Sequence, residues 1–225
     1  MEKTVFNYYQ NLAKDYDDDR FGNTYGRFIH AQEANILKKW LSNDENQILD
    51  LGCGTGRLSS FATHGTDISP KMIQMAQQKH PNKAFTVANA SQLGYADEYF
   101  DTVFSAHVFM HLSPQHLKKI SQEVHRILTP KGSFIFDFPS QKRRKLLGVK
   151  PDSWHGGTSY AIDEIQDLMG QQWRLKRVHG VLFLPIHRFP NFLRQLCLPL
   201  DNGLCQSKWR EYASYQFVEF EKLGA

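Results

Sequence analysis

Residues 48–57 read ILDLGCGTGR, a short apolar run that ends in an acid and leads into glycines at positions 52, 54 and 56. A run of this length and composition is typical of a buried strand. Glycine lets the chain turn tightly and lets a ligand approach where a Cβ atom would clash. In a parallel sheet this turn lies at the carboxyl end of the strand, where nucleotide-like ligands bind. The stretch therefore predicts a ligand site after the first strand.

The glycine spacing matches neither of two common nucleotide motifs. A P-loop requires a lysine after its last glycine, whereas Arg57 follows Gly56 here. A dinucleotide fingerprint has the spacing G-x-G-x-x-G, and this chain has G-x-G-x-G. Taken alone, the turn is equally consistent with a tight connection between a strand and a helix. The residues that follow it are therefore needed to identify the site.

From residue 47 onward, short apolar runs alternate with helical segments. The pattern predicts strands at 48–51, 84–88, 102–105 and 133–138 and helices at 69–79 and 113–128. This alternation is typical of a doubly wound α/β sheet that is mostly parallel. In the last third, a helix is predicted at 162–169, and two strand-like runs, 173–184 and 212–220, lack a clear helix between them. Parallel strands would need such a crossover, so the sequence predicts an antiparallel C-terminal edge strand.

Two helices are predicted ahead of the sheet. Residues 4–41 contain no proline, and the apolar positions Ile29, Ile36, Leu37 and Trp40 recur at helical spacing. No linker rich in glycine, serine or proline divides the chain, and no internal repeat is present. We therefore interpret residues 1–225 as one domain with an N-terminal helical appendage.

Composition and charge exclude several classes of protein. The chain has 225 residues, 41% hydrophobic and 22% charged, which is typical of a globular protein. Its apolar stretches are far shorter than the roughly 18 residues of a membrane span, so we expect no membrane partner. No secretion signal is visible, and the three cysteines lack disulfide or metal-ligand spacing, so we expect a cytoplasmic protein without a metal. The net charge of +4 is uneven, since residues 141–225 carry 13 Lys and Arg against 8 Asp and Glu.

A second acid follows the next short strand. The stretch Gly65-Thr66-Asp67-Ile68-Ser69-Pro70 places Asp67 where a carboxylate can accept two hydrogen bonds from a ribose diol. With the glycine loop and this Asp67 stretch, the chain resembles a class I S-adenosylmethionine-dependent methyltransferase. The resemblance is to the small-molecule branch, which includes the quinone-biosynthesis methyltransferases. The resemblance runs from about Tyr8 to Phe138 and includes a tyrosine-rich opening at 8–17, the glycine loop, the Asp67 motif, Asn89-Ala90, Phe100-Asp101 and residues 128–132.

The resemblance implies a seven-stranded Rossmann-like sheet, with residues 1–45 as a helical lid, 46–140 as the cofactor-binding core and 141–225 as the substrate side. It also implies S-adenosyl-L-methionine as the cofactor. Asp50 and the backbone at Gly52 and Gly54 would hold its methionine portion, and Ser105 would accept the ammonium through its carbonyl group. Asp67 would bind the ribose hydroxyls.

The adenine ring would lie between residues of the next two strands. By resemblance, Ile68 and Met72 would pack on the ring, Asn89 would bond its amino group, and the Ala90 N–H would bond a ring nitrogen. The family often has Asp at the position of Asn89, and Asn keeps the carbonyl acceptor but loses the charge, so we expect weaker binding there. A lid of aromatic and arginine residues, Tyr8, Tyr9, Tyr16, Arg20, Tyr25 and Arg27, would close over the cofactor, with Tyr16 and Arg27 contacting it.

A second departure from the family concerns spacing. Only 17 positions separate Asp50 from Asp67, fewer than the family usually has, so the helix predicted at 57–62 must be short.

His107 is the candidate catalytic residue. It follows Ser105 by two positions, beyond the fourth strand, where the transferred methyl would lie. An imidazole with an ordinary pKa of about 6.5 is suited to proton removal near neutrality. A capping or packing role for His107 is the alternative, and the acceptor pocket would draw on Trp154, His155, Tyr160 and His187.

We therefore expect a methyltransferase that acts on an oxygen, nitrogen or carbon nucleophile of a small-molecule acceptor. Two other functions remain open. The second function is an RNA or protein methyltransferase, which only the basic C-terminal part favours. Because no other feature supports it, we do not expect a nucleic-acid partner. A cofactor-binding protein without catalysis is the third hypothesis.

Overall fold

One mixed sheet organises the molecule. The computed structural model describes residues 8–41, 46–148 and 157–224. Within these ranges seven strands form a sheet of order β3-β2-β1-β4-β5-β7-β6. The strands are β1 (Ile48–Leu51), β2 (His64–Asp67), β3 (Ala84–Val87), β4 (Phe100–Ser105), β5 (Leu128–Pro139), β6 (Trp173–Val181) and β7 (Tyr215–Lys222).

Helices connect these strands and precede them. They are α1 (Tyr16–Phe21), α2 (Thr24–Trp40), α3 (Pro70–Lys79), α4 (Pro114–Ile127), α5 (Gln141–Leu147), α6 (Ile162–Met169), α7 (Asn191–Arg194) and α8 (Leu198–Gln206). Residues 8–12 are also helical. None of these helices combines the length and the apolar composition that crossing a bilayer requires.

The predicted doubly wound sheet with an antiparallel C-terminal edge is confirmed. Strands β1 to β5 pair in parallel, and β7 pairs antiparallel with both β5 and β6. The antiparallel strand β7 lies between β5 and β6, so β6 forms the outer edge. Because β5 and β6 both run opposite to β7, their carboxyl ends meet at one edge of the sheet.

The two predicted helices of the core begin at serine caps. The side chain of Ser69 accepts a hydrogen bond from the Met72 N–H, and that of Ser113 accepts one from the His116 N–H. In each case proline follows at the first helical position, where its missing N–H leaves no donor unpaired. These signals explain why the predicted and observed bounds of both helices agree within one residue.

The segment at 57–62 contains less helix than the sequence predicts. It holds a single 3₁₀ turn, Ser59–Phe61, in place of a short α-helix. Only five residues lie between Arg57 and Thr63, and the N–H of Thr63 already bonds back to the Ile48 carbonyl. The connection from β1 to β2 is therefore a compact loop.

The core has one apolar layer on each face of the sheet. Phe134, Phe136 and Phe138 of β5 lie in the layer that contains α4 and α6, whereas Ile135 lies in the opposite layer. This alternation follows from the two-residue period of a strand. The opposite layer includes Phe28 and other buried residues of α2. Helix α2, predicted as part of a lid, is therefore one layer of the core.

Candidate cofactor and methyl-transfer site

A cavity of about 300 Å³ lies beyond the carboxyl ends of β1 to β4. This volume is at the lower end of the range for small-molecule sites. Of the predicted cofactor and catalytic residues, the following line it: Tyr16, Gly52, Gly54, Asp67, Ile68, Met72, Asn89, Ala90 and His107. The chain thus brings nine of the twelve predicted residues to one cavity.

The glycine loop exposes its backbone to the cavity. Gly52 and Gly54 have φ angles of 74° and 54°, in the region that glycine adopts most easily. A Cβ atom at Gly52 would lie 2.3 Å from a methyl carbon of Val108, whereas one at Gly54 would meet no atom within 4 Å. The Gly52 N–H donates to the Thr66 carbonyl at 2.7 Å, which fixes the loop against β2. The open space beside Gly54 fits the close approach of a ligand to the backbone.

Asp67 is held rigidly at the end of β2. One carboxylate oxygen accepts the Gly54 N–H at 3.0 Å, and the other accepts the Ser69 N–H at 2.8 Å. Burial raises the pKa of this carboxyl group, while the backbone donors oppose the rise. Each oxygen has a second lone pair, so the group retains acceptor capacity for a pair of ligand hydroxyls.

The predicted adenine side of the cavity combines apolar and amide groups. Ile68 is half exposed at the cavity, and Met72 is buried in its wall. The side-chain carbonyl of Asn89 accepts two hydrogen bonds from Ser91, one from its N–H at 3.0 Å and one from its hydroxyl at 2.9 Å. Both lone pairs of that carbonyl are therefore used, and bonding an adenine amino group would require Ser91 to release one of them.

Three predicted residues do not line the cavity. Asp50 is buried behind the loop, where it accepts the Ser59 hydroxyl at 2.7 Å, and burial raises its pKa to about 7. The Ser105 hydroxyl donates to the Leu51 carbonyl at 2.7 Å. The Arg27 guanidinium donates to the Gly22 carbonyl at 2.5 Å. These contacts hold the surrounding chain, so the predicted contacts of the Asp50 and Arg27 side chains with the cofactor have no support in the geometry. The predicted contact of the Ser105 backbone carbonyl with the cofactor stays a prediction.

His107 lies within a buried network of charged groups. Its Nε2 atom is 2.5 Å from a carboxylate oxygen of Glu33, and its backbone N–H donates to Asp137 at 2.6 Å. Its Nδ1 atom is 3.6 Å from the second Asp137 oxygen, which is beyond a good hydrogen bond. The other oxygen of Glu33 is 2.7 Å from the Arg57 guanidinium. The network joins α2, the glycine loop and the ends of β4 and β5.

The charges in this network fix its protonation. Burial by itself would raise the pKa of Glu33, but Arg57 and His107 outweigh burial and lower it to about 2. Burial by itself would lower the pKa of His107, but the carboxylates of Glu33 and Asp137 raise it above its ordinary value. Glu33 is therefore ionised at neutral pH, and it stabilises the protonated imidazole.

The sequence interpretation missed Glu33 and Asp137, although both leave a signal. Glu33 stands four residues from Ile29 and from Leu37, inside the apolar stripe of α2. Asp137 interrupts the apolar run of β5. A charged residue is rarely buried unless it is paired, so an acid at a core position indicates a buried partner.

The residues that precede α2 cover the cavity. Tyr9 and Tyr16 line it, and burial raises the pKa of Tyr16 to about 12. The Thr55 hydroxyl donates to Asp17 at 2.6 Å, which ties α1 to the glycine loop. Of the predicted lid, Tyr9 and Tyr16 thus lie at the cavity, while residues 1–7 and 42–45 lie outside the described ranges.

The predicted acceptor residues are separated in the structure. Tyr160 is buried beside Phe138, with ring centroids 6.1 Å apart. His187 lies next to Tyr25, with ring centroids 6.2 Å apart. Trp154 and His155 lie outside the described residues.

Part of the chain is similar to known methyltransferase sequences. Residues 49–136 match the family described as "Methyltransferase domain". The chain is 38% identical over 131 residues to an uncharacterised protein of Methanocaldococcus jannaschii, which covers 57% of this chain and 49% of that protein. It is 30% identical over 130 residues to the demethylmenaquinone methyltransferase of Chlorobaculum parvum, and the match covers 55% of this chain and 52% of that protein. The chain therefore spans about half the length of these relatives.

A solved structure has the same fold. The magnesium protoporphyrin IX methyltransferase of Synechocystis, with bound SAH, superposes with a TM-score of 0.68 at 18% identity, covering 99% of this chain and 100% of that one. This likeness extends the shared fold to the N-terminal helices and to strands β6 and β7, beyond the segment that matches the family.

Proposed function

We propose that this chain is a class I S-adenosylmethionine-dependent methyltransferase that transfers a methyl group from S-adenosyl-L-methionine to a small-molecule acceptor, in agreement with the matching domain family and the shared fold. The acceptor atom is an oxygen, nitrogen or carbon nucleophile. One observation carries the proposal: the glycine loop, Asp67 and His107 line a single cavity at the carboxyl ends of the parallel strands. The demethylmenaquinone methyltransferase relative supports the small-molecule class.

The residues present fit the proposed cofactor. Gly54 leaves open space where any other residue would place a Cβ atom, and Asp67 presents a half-buried, positioned carboxylate beside it. Asp67 would bind the ribose hydroxyls, the backbone at Gly52 and Gly54 would face the methionine portion, and Met72 would pack on the adenine. When bound, the cofactor supplies an electrophilic methyl group on a sulfonium.

We assign His107 the role of proton acceptor for nucleophiles that must lose a proton. Glu33 accepts the Nε2–H and so orients the ring, and Nδ1 is then the nitrogen that can take a proton. The tautomer follows from this hydrogen-bond pattern. Because the carboxylates raise the pKa of His107, the ring is a stronger base but must first be deprotonated.

Water exclusion is the second task of the site. Tyr9 and Tyr16 cover the cavity from the N-terminal side. Orientation of the reactants in such a closed site supplies roughly 7–11 kcal/mol of barrier reduction in favourable cases. The aromatic cover and the fixed glycine loop are the parts of this chain that would provide it.

Mass spectrometry with isotopically labelled cofactor tests the proposal. Incubation of a cell extract with the protein should label one small metabolite, and an Asp67→Ala variant should label it much more slowly. Label that appears only on protein or RNA would contradict the small-molecule class. Absence of label in every fraction, with cofactor bound, would favour a protein without catalysis.

A further inference from the structure

An exposed apolar stripe runs along the helical segment between β6 and β7. The segment comprises α7, the 3₁₀ turn Gln195–Cys197 and α8. Phe192, Leu196 and Leu200 recur every four residues and have 75%, 73% and 61% of their surface exposed. We call these three side chains the apolar stripe. Large side chains in this arrangement on a surface usually mark an interaction site.

The segment that carries the stripe is anchored to the rest of the fold. Asp201 of α8 is buried and accepts the Leu184 N–H at 2.6 Å and a Gln32 amide N–H at 2.7 Å. At the other end, the Arg194 guanidinium donates to the Thr24 hydroxyl at 2.8 Å. The stripe is therefore held on the surface by contacts on its opposite face.

Further exposed apolar side chains belong to neighbouring elements. Leu146 and Leu147 of α5 are 66% and 59% exposed, and Trp209 after α8 is 52% exposed. Helix α5 packs against the 3₁₀ turn Arg210–Tyr212, which follows Trp209 directly. Exposed apolar side chains thus occur on the segment and beside it, on α5 and at Trp209 after α8.

The exposed charged side chains of the segment are of one sign. Between residues 182 and 210 the sequence has a single acid, Asp201, and that side chain is buried. Arg188 and Lys208 in the same stretch are exposed. On α5, Lys145 is exposed as well, and Lys142 pairs with Glu211 at 2.6 Å. The rim of the stripe is therefore basic.

The segment that carries the stripe begins and ends at the edge of the sheet where the cavity lies. Its segment leaves β6 at Val181 and enters β7 at Tyr215, and these two residues pair. Tyr215 also pairs with Pro139, the last residue of β5. Both ends of the segment therefore lie at the carboxyl edge of the sheet, beyond which the cavity lies.

We propose that the apolar stripe docks this protein on the surface of a bilayer that contains anionic lipids. An exposed helical face with phenylalanine and leucine, accompanied by arginine and lysine, is suited to lie in the interface between headgroups and acyl chains. The exposed cations meet the negative potential of such a surface. A second copy is a poorer partner, because stripe against stripe would bring the two basic rims together. Docking of this kind requires no membrane-spanning helix, so it departs from the sequence-based expectation of no membrane partner, which rested on the lack of such a span. It stands apart from the proposed methyl transfer.

Vesicle sedimentation tests the proposal. Sucrose-loaded vesicles of phosphatidylcholine with 30% phosphatidylglycerol, and of phosphatidylcholine alone, are mixed with the wild type and with an F192Q/L196Q/L200Q variant. We expect the wild type to bind the anionic vesicles and the triple variant to bind at least tenfold more weakly, with an unchanged melting temperature. Arg188→Gln together with Lys208→Gln should weaken binding roughly fivefold per charge removed. Binding of the wild type should also fall as salt is raised.

A V87Q/Y99Q variant is the matched control. Both residues are exposed and apolar, at 47% and 42%, but they lie outside the segment. This variant should bind like the wild type. The proposal is overturned if the wild type fails to sediment with anionic vesicles or if the triple variant binds as well as the wild type. A dimer that the triple substitution abolishes, without vesicle binding, would assign the stripe to a second copy instead.

Discussion

The carboxylate of Glu33 lies 2.5 Å from Nε2 of His107, which joins helix α2 to the end of β4 beside the cavity. The two residues are 74 positions apart in the chain. Their contact makes α2 part of the site as well as part of the core. The stability of the fold and the orientation of the proposed base therefore depend on the same ion pair.

Glu33→Gln should lower the free energy of unfolding by about 3–5 kcal/mol near pH 5.5, because it leaves His107 and Arg57 without their buried partner. The effect should depend on pH. Because the pKa of Glu33 is lowered, its ionised form stabilises the fold above pH 4.5, and this stabilisation is lost as the pH falls toward about 2. Because the pKa of His107 is raised in the folded protein, its protonated form stabilises the fold below pH 6.5. This stabilisation is lost as the pH rises through the pKa of the folded state.

Urea denaturation of the wild type and the variant across this pH range measures both effects. Asp19→Asn serves as the control, since Asp19 is exposed and its contact with Arg20 is 4.0 Å long. That variant should change stability by less than about 0.5 kcal/mol. If Glu33→Gln changes the free energy of unfolding equally little, or by an amount that does not vary with pH, the ion pair does not stabilise the fold.

His107→Asn should lower kcat by roughly 10²–10⁴ and leave cofactor affinity unchanged. Asn tolerates the positive φ of 61° at this position, so the backbone should be preserved. In the wild type, activity should rise with pH with a midpoint above 6.5, because the carboxylates raise the pKa of the base. Steady-state rates between pH 5.5 and 9 measure this rise. A variant that keeps both its turnover and its rise with pH would return His107 to a packing or positioning role.

Asp67→Ala should weaken binding of S-adenosylmethionine at least tenfold. The variant loses charge-assisted bonds that are worth roughly 1.5–3 kcal/mol each. Asp50→Asn is the informative comparison, because Asp50 is buried behind the loop and bonded to Ser59. Calorimetry should show an affinity within about threefold of the wild type for the Asp50 variant. Equal losses for the two variants would show that Asp50 acts on the cofactor as directly as Asp67.

Gly54→Val should abolish cofactor binding, because the new side chain would occupy the open space beside the loop. It also imposes a positive φ on a branched residue, which costs roughly 1–2 kcal/mol of stability. Gly148→Val separates these effects. Gly148 has a similar φ of 62° and equally open surroundings at the end of α5, outside the cavity. Thermal melts should show similar losses for both variants, whereas binding should be lost only at position 54.

Residues 8–21 should exchange their amide hydrogens more slowly when the cofactor is bound. Tyr9 and Tyr16 line the cavity, and Asp17 bonds to the glycine loop through Thr55. Amides of α2 should change little, because that helix is already packed in the core. Hydrogen exchange followed by mass spectrometry distinguishes the two segments. Equal exchange of residues 8–21 with and without cofactor would contradict a cover over the site.

Local signals explain which features the sequence predicts well. The apolar run before the glycines locates β1, and a serine followed by proline locates the start of α3 and of α4. The role of α2 could not be predicted, because it depends on what the apolar face of the helix contacts. Phe28 and Ile36 pack on strands that lie far from α2 in the sequence. The same limit applies to Glu33. Its position in an apolar stripe is visible, but its partners Arg57 and His107 become neighbours only in the fold.

Titration of the wild-type protein with S-adenosylmethionine and with its demethylated product tests the central claim most directly. We expect one binding site per chain for each ligand, and competition between the two. We also expect that Gly54→Val removes this site while Gly148→Val leaves it intact. A folded wild-type protein that takes up neither ligand, or a Gly54→Val variant that binds both as the wild type does, would contradict the assignment of the cavity.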